Sequence, residues 1–414
     1  MSMKHEYDVI VIGGGPAGMM AAGRAGERGL RVLLLEKNPE LGKKLSITGG
    51  GRCNITNAEL DIHAFLQHYK ESAQFLYSPF SQFGVTDTFN FFTSKGLPLV
   101  TEDRKRAFPK TEKATDVTRV MEDYVRRGGV IVCTNTPVLR LKTENGSVSG
   151  VVTNNGIYTA RAYILASGGK SHPETGSTGE GISWLNEIGH AVHSPNPDIV
   201  PIVVKDEWVR RLSGTTLTGA QLTCKNKFEK IKVTGNILCT HFGISGPTVL
   251  NSARKIKEML SHGKVEAEID LFPTEDIGTL RKRMQVHFEL HANKTLKNAL
   301  AELVSIHIAE AILEAIPHES HEKKTHGITR DDRHALINRM KCLPITIIGT
   351  KGFEWAVVSD GGVDLSEIDT KTMQSKLHSN IYLVGDVLNV HRQSGGFSLQ
   401  LCWTTGWVAG NSVC

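Results

Sequence analysis

The chain has 414 residues, 40% of them hydrophobic and 22% charged, with a formal net charge of +5. That length exceeds one ordinary domain and fits two or three, and the composition is that of a soluble globular enzyme. So small a charge excess does not call for nucleic acid, and no stretch reaches the ~18 consecutive apolar residues of a membrane span. The expected partner is therefore a small molecule, with no nucleic acid and no membrane, and the oligomeric state is left open. The chain runs into an apolar strand at once, which leaves no room for a signal peptide and predicts a cytoplasmic location.

The first element is the apolar run Val9-Ile10-Val11-Ile12, followed by Gly13-Gly14-Gly15-Pro16-Ala17-Gly18 and a helical pattern. A second apolar run, Val32-Leu33-Leu34-Leu35, ends at Glu36. Gly13, Gly15 and Gly18 fit the G-x-G-x-x-G fingerprint, in which the first glycine turns the chain, the second admits a pyrophosphate and the third packs helix on strand. Glu36, eighteen residues after Gly18, stands where a carboxylate accepts from a ribose 2′-OH and repels a 2′-phosphate. Strand, turn, helix and acid together predict an adenine dinucleotide, FAD or NAD, and with it redox chemistry. A second fingerprint after a strand is absent, so any nicotinamide must meet a flavin without a Rossmann domain of its own.

A glycine- and lysine-rich loop follows, from Gly42 to Asn57, then an aromatic-rich helical region over 75–92. A helix over 114–127 should stop at Gly128-Gly129. Strands near 130–133, 137–142, 147–153 and 156–160 read as a meander with a tight turn at Asn145-Gly146. The apolar run Tyr163-Ile164-Leu165-Ala166 leads into Ser167-Gly168-Gly169. From about Pro195 the pattern alternates, over 199–204, 215–225, 229–234 and 265–270, as in a separate antiparallel unit. Residues 274–341 read as helical, charged and histidine-rich, with a polar break from Pro317 to Gly327. The boundaries expected are 1–194 and 345–414 for the dinucleotide domain, 195–273 for a β-rich insert with a return strand near 340–350, and 274–341 for a helical subdomain. A last strand ends at Gly385-Asp386 and a last helix begins near Leu399.

The seven cysteines (Cys53, Cys133, Cys224, Cys239, Cys342, Cys402 and Cys414) include no C-x-x-C pair and no zinc spacing. Separate reduced thiols are expected, which argues against a disulfide reductase. His318-Glu319-Ser320-His321-Glu322 is not H-E-x-x-H and lies in the polar break, so no metal is expected. Arg104-Lys105-Arg106 reads as a solvated loop.

A second group of motifs is more specific. Ile47-Thr48-Gly49-Gly50-Gly51-Arg52-Cys53-Asn54-Ile55-Thr56-Asn57 is joined by Ala107-Phe108-Pro109, Gly168-Gly169-Lys170-Ser171-His172-Pro173 and Gly176-Ser177-Thr178-Gly179. Gly243-Ile244-Ser245-Gly246-Pro247 and Thr372-Met373-Gln374-Ser375-Lys376 complete the set. In this order the motifs resemble a family of bacterial NAD(P)/FAD-dependent oxidoreductases that includes aminoacetone oxidase and 3-dehydro-bile acid Δ4,6-reductase. The resemblance implies an α/β fold: a Rossmann-like, glutathione-reductase-type FAD-binding domain split by an inserted β-barrel-like domain that carries a helical subdomain. It also implies tight, non-covalent FAD, with NADH or NADPH as a transient electron donor.

On that resemblance Gly13, Gly15, Pro16, Ala17 and Gly18 hold the FAD diphosphate, Glu36 and Lys37 the adenosine ribose, and the Val138 backbone the adenine. Lys44 and Ser46 line the diphosphate and ribityl chain, Ser167 and Gly168 also belong to the cofactor-binding set, and Gly385-Asp386 accepts from ribityl hydroxyls. Gly395, Gly396, Phe397, Ser398 and Leu399 open the last helix toward the flavin edge that carries charge on reduction. Gly50, Gly51, Arg52, Cys53 and Asn54 pass close to the ring, with Cys53 a small packed residue. The catalytic residues are not specified; the candidates are Arg52, Asn54, His172, His391 and Arg392, and Lys170 and His241 can border a substrate pocket. The chain departs from the family where Asp386 replaces a glutamate, Asn389, His391 and Arg392 replace an acid and an Asp-Gly pair, and Phe397-Ser398 replaces Tyr-Asn. The expected function is hydride exchange between flavin N5 and a small organic substrate, as an NAD(P)H-driven reductase of an activated C=C bond. The alternatives are an oxygen-using flavin amine oxidase, a non-catalytic FAD-binding redox module and a tRNA-modifying flavoenzyme.

Overall fold

A computed structural model describes residues 6–414. These divide into two compact units, one made of residues up to Asp198 together with Phe353–Cys414, the other of Ile199–Gly352.

The first unit is built on a five-stranded parallel sheet in the spatial order Ile381–Leu383, Ala160–Leu165, Tyr7–Ile12, Val32–Leu35, Ile131–Cys133. Its three central strands carry buried apolar runs, Ala162–Leu165, Val9–Ile12 and Val32–Leu35, because helix Pro16–Glu27 packs on them and strand Ser147–Thr153 packs against Ala160–Leu165. The helix Pro16–Glu27 returns the chain from the first strand to the second, and Ala114–Arg127 returns it to Ile131–Cys133. Here the sequence reading is corrected. Residues 130–133 do not begin the meander; they pair in parallel with the second strand, Leu33 opposite Ile131. A helical crossover delivers a strand parallel to its neighbour, whereas a meander needs tight turns. The meander itself comprises Val138–Glu144, Ser147–Thr153 and Gly156–Tyr158.

The last helix, Phe397–Ser412, is buried along most of its length and packs on the first. Gly406 and Gly410 make this possible, since a Cβ on either would strike the backbone oxygen of Ala17 or Ala21. Such close approach selects glycine even inside a helix, against its poor propensity there.

The second unit contains a closed six-stranded barrel of Ile202–Val204, Gly243–Ser245, Lys230–Thr240, Thr216–Lys225, Glu266–Asp270 and Leu343–Thr350, in that order. Alternating burial along Leu343–Thr350 marks it as a barrel strand. It closes the barrel by pairing with Glu266–Asp270 and Ile202–Val204. The first unit therefore resumes at Phe353 and not at 345. Helices Ile277–Leu290, Leu296–Ala301, Ile306–Leu313 and Arg330–Lys341 occupy the chain between the last two barrel strands. The break at 317–327 contains only two short 3₁₀ turns. Among the described residues no helix is long and apolar enough to cross a membrane.

Candidate functional site: a dinucleotide cradle in the first unit

The glycine turn links the first strand to the first helix. Gly13 lies at φ +104°, and a Cβ there would sit 2.5 Å from the Ala166 carbonyl oxygen. Gly18 packs against the Gly13 carbonyl so tightly that no side chain fits. Gly15 faces open space, with nothing within 4 Å of where its Cβ would lie. The helix begins at Pro16 and its N-cap, Gly15, supplies no side-chain hydrogen bond. The first turn therefore presents uncapped N–H groups and the positive end of the helix dipole to that space, an arrangement suited to a phosphate. Beside it, buried Ser167 Oγ has no hydrogen-bond partner, and a Cβ on Gly181 would collide with it.

Glu36 is buried at the end of its strand. Its Oε2 accepts from the Gly14 N–H at 2.7 Å, and its Oε1 accepts from the Asn38 N–H and Nδ2, both at 2.8 Å. A carboxylate offers about four lone-pair sites, so one remains for a ribose hydroxyl. Asn38 Nδ2 also donates to the Thr175 carbonyl, and Lys37 Nζ donates to Thr178 Oγ1 and pairs with Glu180. The 36–38 and 175–180 segments are thereby tied together. The Thr136 N–H donates to the Glu36 carbonyl, which brings Val138, two residues on and buried, to the same end of the sheet.

Lys44 Nζ donates to Ser171 Oγ at 2.8 Å. Burial lowers the pKa of Lys44, opposed by the nearby Asp386 carboxylate. Ser46 is turned inward onto the Lys43 carbonyl. Gly385, at φ +69°, lies against Ala17 of the first helix and donates its N–H to Thr405 Oγ1 at 3.0 Å. Asp386 pairs with Arg392, whose side chain is 1% exposed. Arg392 also donates to Ser398 Oγ at 2.9 Å and to the Val390 carbonyl. Arg392, one of the residues that depart from the family pattern, thus orients Asp386.

The loop from Leu45 to Cys53 takes left-handed backbone at Gly49, Gly50, Gly51 and Cys53. A run of glycines is required there because L-residues rarely adopt it. Cys53 is fully buried, and burial pushes its thiol up to about 12. It is a packed thiol and not a nucleophile. Arg52 is engaged by Glu102 and Glu112 and stacks on Phe108, which commits the guanidinium to holding this loop. The Asn54 amide donates to the Thr56 and Ala107 carbonyls and accepts from the Gly396 N–H at 2.9 Å. Asn57 Nδ2 donates to the Gly395 carbonyl, Thr56 Oγ1 to Gln400 Oε1 at 2.6 Å, and Trp403 Nε1 to the Ile55 carbonyl. These bonds stitch the glycine-rich loop to the start of the last helix. Gly396, at φ +104°, has no room for a Cβ against Thr56, and this helix too lacks a side-chain cap. Phe397 is buried and stacks on His68 at 4.3 Å, and Leu399 is buried beside it.

Of the remaining candidates, His172 Nδ1 lies 2.8 Å from Glu174 and His391 Nδ1 lies 2.7 Å from Asp360. Lys170 Nζ lies over the Phe353 ring. His241 belongs to the second unit and meets Phe242 edge to face. The polar side chains that lock the site from the last helix, Gln400, Thr404 and Thr405, are all buried. They were missed in the sequence; the available signal was polar residues in the middle turns of a largely apolar helix. His190 was missed as well. It is buried and held between Glu367, at 2.6 Å, and Ser375 of the Thr372–Lys376 motif, at 3.0 Å.

Comparison with known proteins agrees with this geometry. A 3-dehydro-bile acid delta(4,6)-reductase of Clostridium scindens is 30% identical over 409 residues, covering 97% of this chain and 98% of its own. A ribosomal RNA dihydrouridine synthase of Escherichia coli is 27% identical over 412 residues, covering 99% and 98%. Among solved structures, the 3-ketosteroid delta1-dehydrogenase of Sterolibacterium denitrificans superposes with a TM-score of 0.57 at 13% identity, covering 98% of this chain and 99% of that one. That likeness speaks to the fold alone. The open cradle at Gly15, the orphaned Ser167 hydroxyl and the free lone pair on Glu36 fit FAD, and the chain is an FAD-dependent oxidoreductase. The family described as HI0933-like protein Rossmann domain matches residues 7–412, and the chain belongs to that family.

Proposed function

We propose that the protein is an NAD(P)H-driven reductase of a carbon–carbon double bond conjugated to a carbonyl group. The observation that carries this reading is the full-length similarity to two relatives with different substrates and one shared chemistry. A delta(4,6)-reductase saturates a dienone system, and dihydrouridine is uridine whose C5=C6 bond, conjugated to C4=O, has been saturated.

When bound, FAD supplies a ring that accepts two electrons and a proton from one partner and returns them to another. The chain's own residues do the rest. The first-helix N–H groups and the gap at Gly15 receive the diphosphate, Glu36 accepts from the adenosine ribose, and the Val138 backbone meets the adenine. Asp386, oriented by Arg392, accepts from the ribityl hydroxyls, and Lys44 with Ser171 borders the same chain. The uncapped N-terminus of the last helix would supply N–H groups to the ring edge that gains charge on reduction, and the left-handed loop at Gly50-Gly51 would leave room for the ring. His172 and His391, each held by a carboxylate, are the groups to test for delivering a proton to the substrate α-carbon.

An anaerobic titration with NADH and then NADPH, followed by air, tests this reading. Rapid bleaching of the flavin by one nucleotide, with slow reoxidation by air and fast reoxidation by an enone, is the expected result. No bleaching by either nucleotide would overturn it in favour of an amine oxidase or a redox module. Rapid reoxidation by air would favour an oxidase.

A second reading concerns the size of the substrate. Residues 199–352 carry 23 Lys and Arg against 17 Asp and Glu, whereas the rest of the chain carries 25 against 26. The positive excess resides wholly in the second unit, which favours an activated double bond presented on a polyanion, a uracil base within RNA. Turnover with NADPH on a uridine-containing RNA, read as a mass gain of two hydrogens, separates this from a free enone substrate.

A further inference from the structure

Outside the cradle, the second unit holds a cluster that neither the family motifs nor the proposed reaction uses. His287 lies near the end of helix Ile277–Leu290, and His291 follows one turn later as its C-cap. Residues four apart share one helix face, and the two imidazoles lie with centroids 4.6 Å apart. Glu302 enters from the end of the next helix, Leu296–Ala301, with its Oε2 3.0 Å from His291 Nε2. One ligand atom from each of the three residues lies within 4.8 Å of the others.

We propose that His287, His291 and Glu302 form a binding site for one divalent transition-metal ion of the zinc class. The chemistry fits in three respects. Two imidazoles and a carboxylate are a donor set that zinc takes, leaving further positions for water. Tetrahedral zinc bonds of about 2.0–2.1 Å place adjacent ligand atoms roughly 3.3 Å apart, a few tenths of an ångström beyond the 3.0 Å between His291 Nε2 and Glu302 Oε2. The His287 ring is also already oriented: its Nε2 lies 2.7 Å from the Ala299 carbonyl. Donation of a ring N–H to a backbone carbonyl fixes tautomer and orientation in metal-binding histidines and leaves the other nitrogen as the ligand. His291 and Glu302 are partly open to solvent, so an ion has a path in and the carboxylate can close on it. The competing cation is Lys294, whose Nζ pairs with the other Glu302 oxygen. The ion would pin the first two helices of the 277–341 segment across the turn at 291–295.

The test is calorimetric titration of the chelator-washed holoprotein with ZnCl2, with MgCl2 as control. One zinc per chain and no magnesium binding is expected. Loss of an outer-shell partner alone costs about 10–100-fold in affinity, so His287→Ala and Glu302→Gln should each cost at least as much. Lys294→Gln, which removes the competing charge, should tighten binding. His318→Ala, in the other histidine-rich stretch, should change nothing. Absence of zinc binding would overturn the proposal. So would a zinc affinity unchanged in both His287→Ala and Glu302→Gln, because the ion would then be held elsewhere; circular dichroism of each variant confirms that it is folded.

Discussion

Arg392 stands where the family pattern has no arginine, and its pairing with Asp386 can be measured. Arg392→Met keeps the length and apolar character of the stem but removes the charge and three donor contacts, to Asp386, Ser398 and Val390. Removing one partner of a buried ion pair costs about 3–5 kcal/mol because the other charge is left uncompensated. Arg392 is 1% exposed but Asp386 is 17% exposed, so water recovers part of the loss and the low end, about 3 kcal/mol, is expected. At about 2 °C per kcal/mol for a chain of this size, the midpoint of thermal unfolding should fall by about 6 °C. Asp386→Asn should cost a similar amount, since it leaves the buried guanidinium unpaired. The double variant should cost less than the sum, with a coupling energy of about 0.5–3 kcal/mol. Denaturant unfolding of the four proteins, read at 25 °C and matched flavin content, supplies the cycle. Additive costs would refute the view that Arg392 orients Asp386, and the assignment of Asp386 to the ribityl chain would lose its support.

Gly18→Ala should abolish flavin retention, because the added methyl meets the Gly13 carbonyl; a variant purifying with full yellow colour would contradict the cradle. His190 makes stability acid-sensitive. Burial lowers its pKa from the ordinary 6.5. Ser375 Oγ accepts from the Leu377 and His378 N–H groups, so the hydroxyl proton goes to a neutral His190. The unfolded chain binds a proton more readily, so stability should fall as pH drops below about 6.5 and level off below the folded pKa. Urea unfolding of wild type and His190→Gln between pH 7.5 and 5 should show a shallower slope in the variant, and identical slopes would exclude His190 as the cause. Alkylation of the folded protein should label exposed Cys414 first, then exposed Cys342, whose thiol is pushed up to about 11 by burial and the Glu268 carboxylate, and spare buried Cys53, Cys224, Cys239 and Cys402. Peptide mass mapping reads the pattern, and native-state labelling of Cys53 would reopen a redox role for it.

The nucleotide half of this protein was legible in its sequence because it is written in local terms. A glycine that must turn, a glycine that must not obstruct and an acid at a strand end occupy one short segment, and the parallel strands announce themselves as unbroken apolar runs. The helix 114–127 and most barrel strands were readable by the same periodicity. Tertiary structure decided what depends on partners far apart in the chain. Residues 131–133 join the parallel sheet because a helical crossover brings them there, and the return strand expected near 340–350 runs over 343–350 as the closing barrel strand, so the first unit resumes only at Phe353. Arg52 reads locally as a group that could reach a ring, yet two carboxylates fifty and sixty residues away hold it. Arg392 reads as a departure and proves to be the partner of Asp386. His287 and His291 sit in an unremarkable charged stretch until the next helix brings Glu302 to them. Local backbone conformation follows from neighbours in sequence, whereas strand pairing and the state of a charged side chain follow from neighbours in space, and only the fold supplies those.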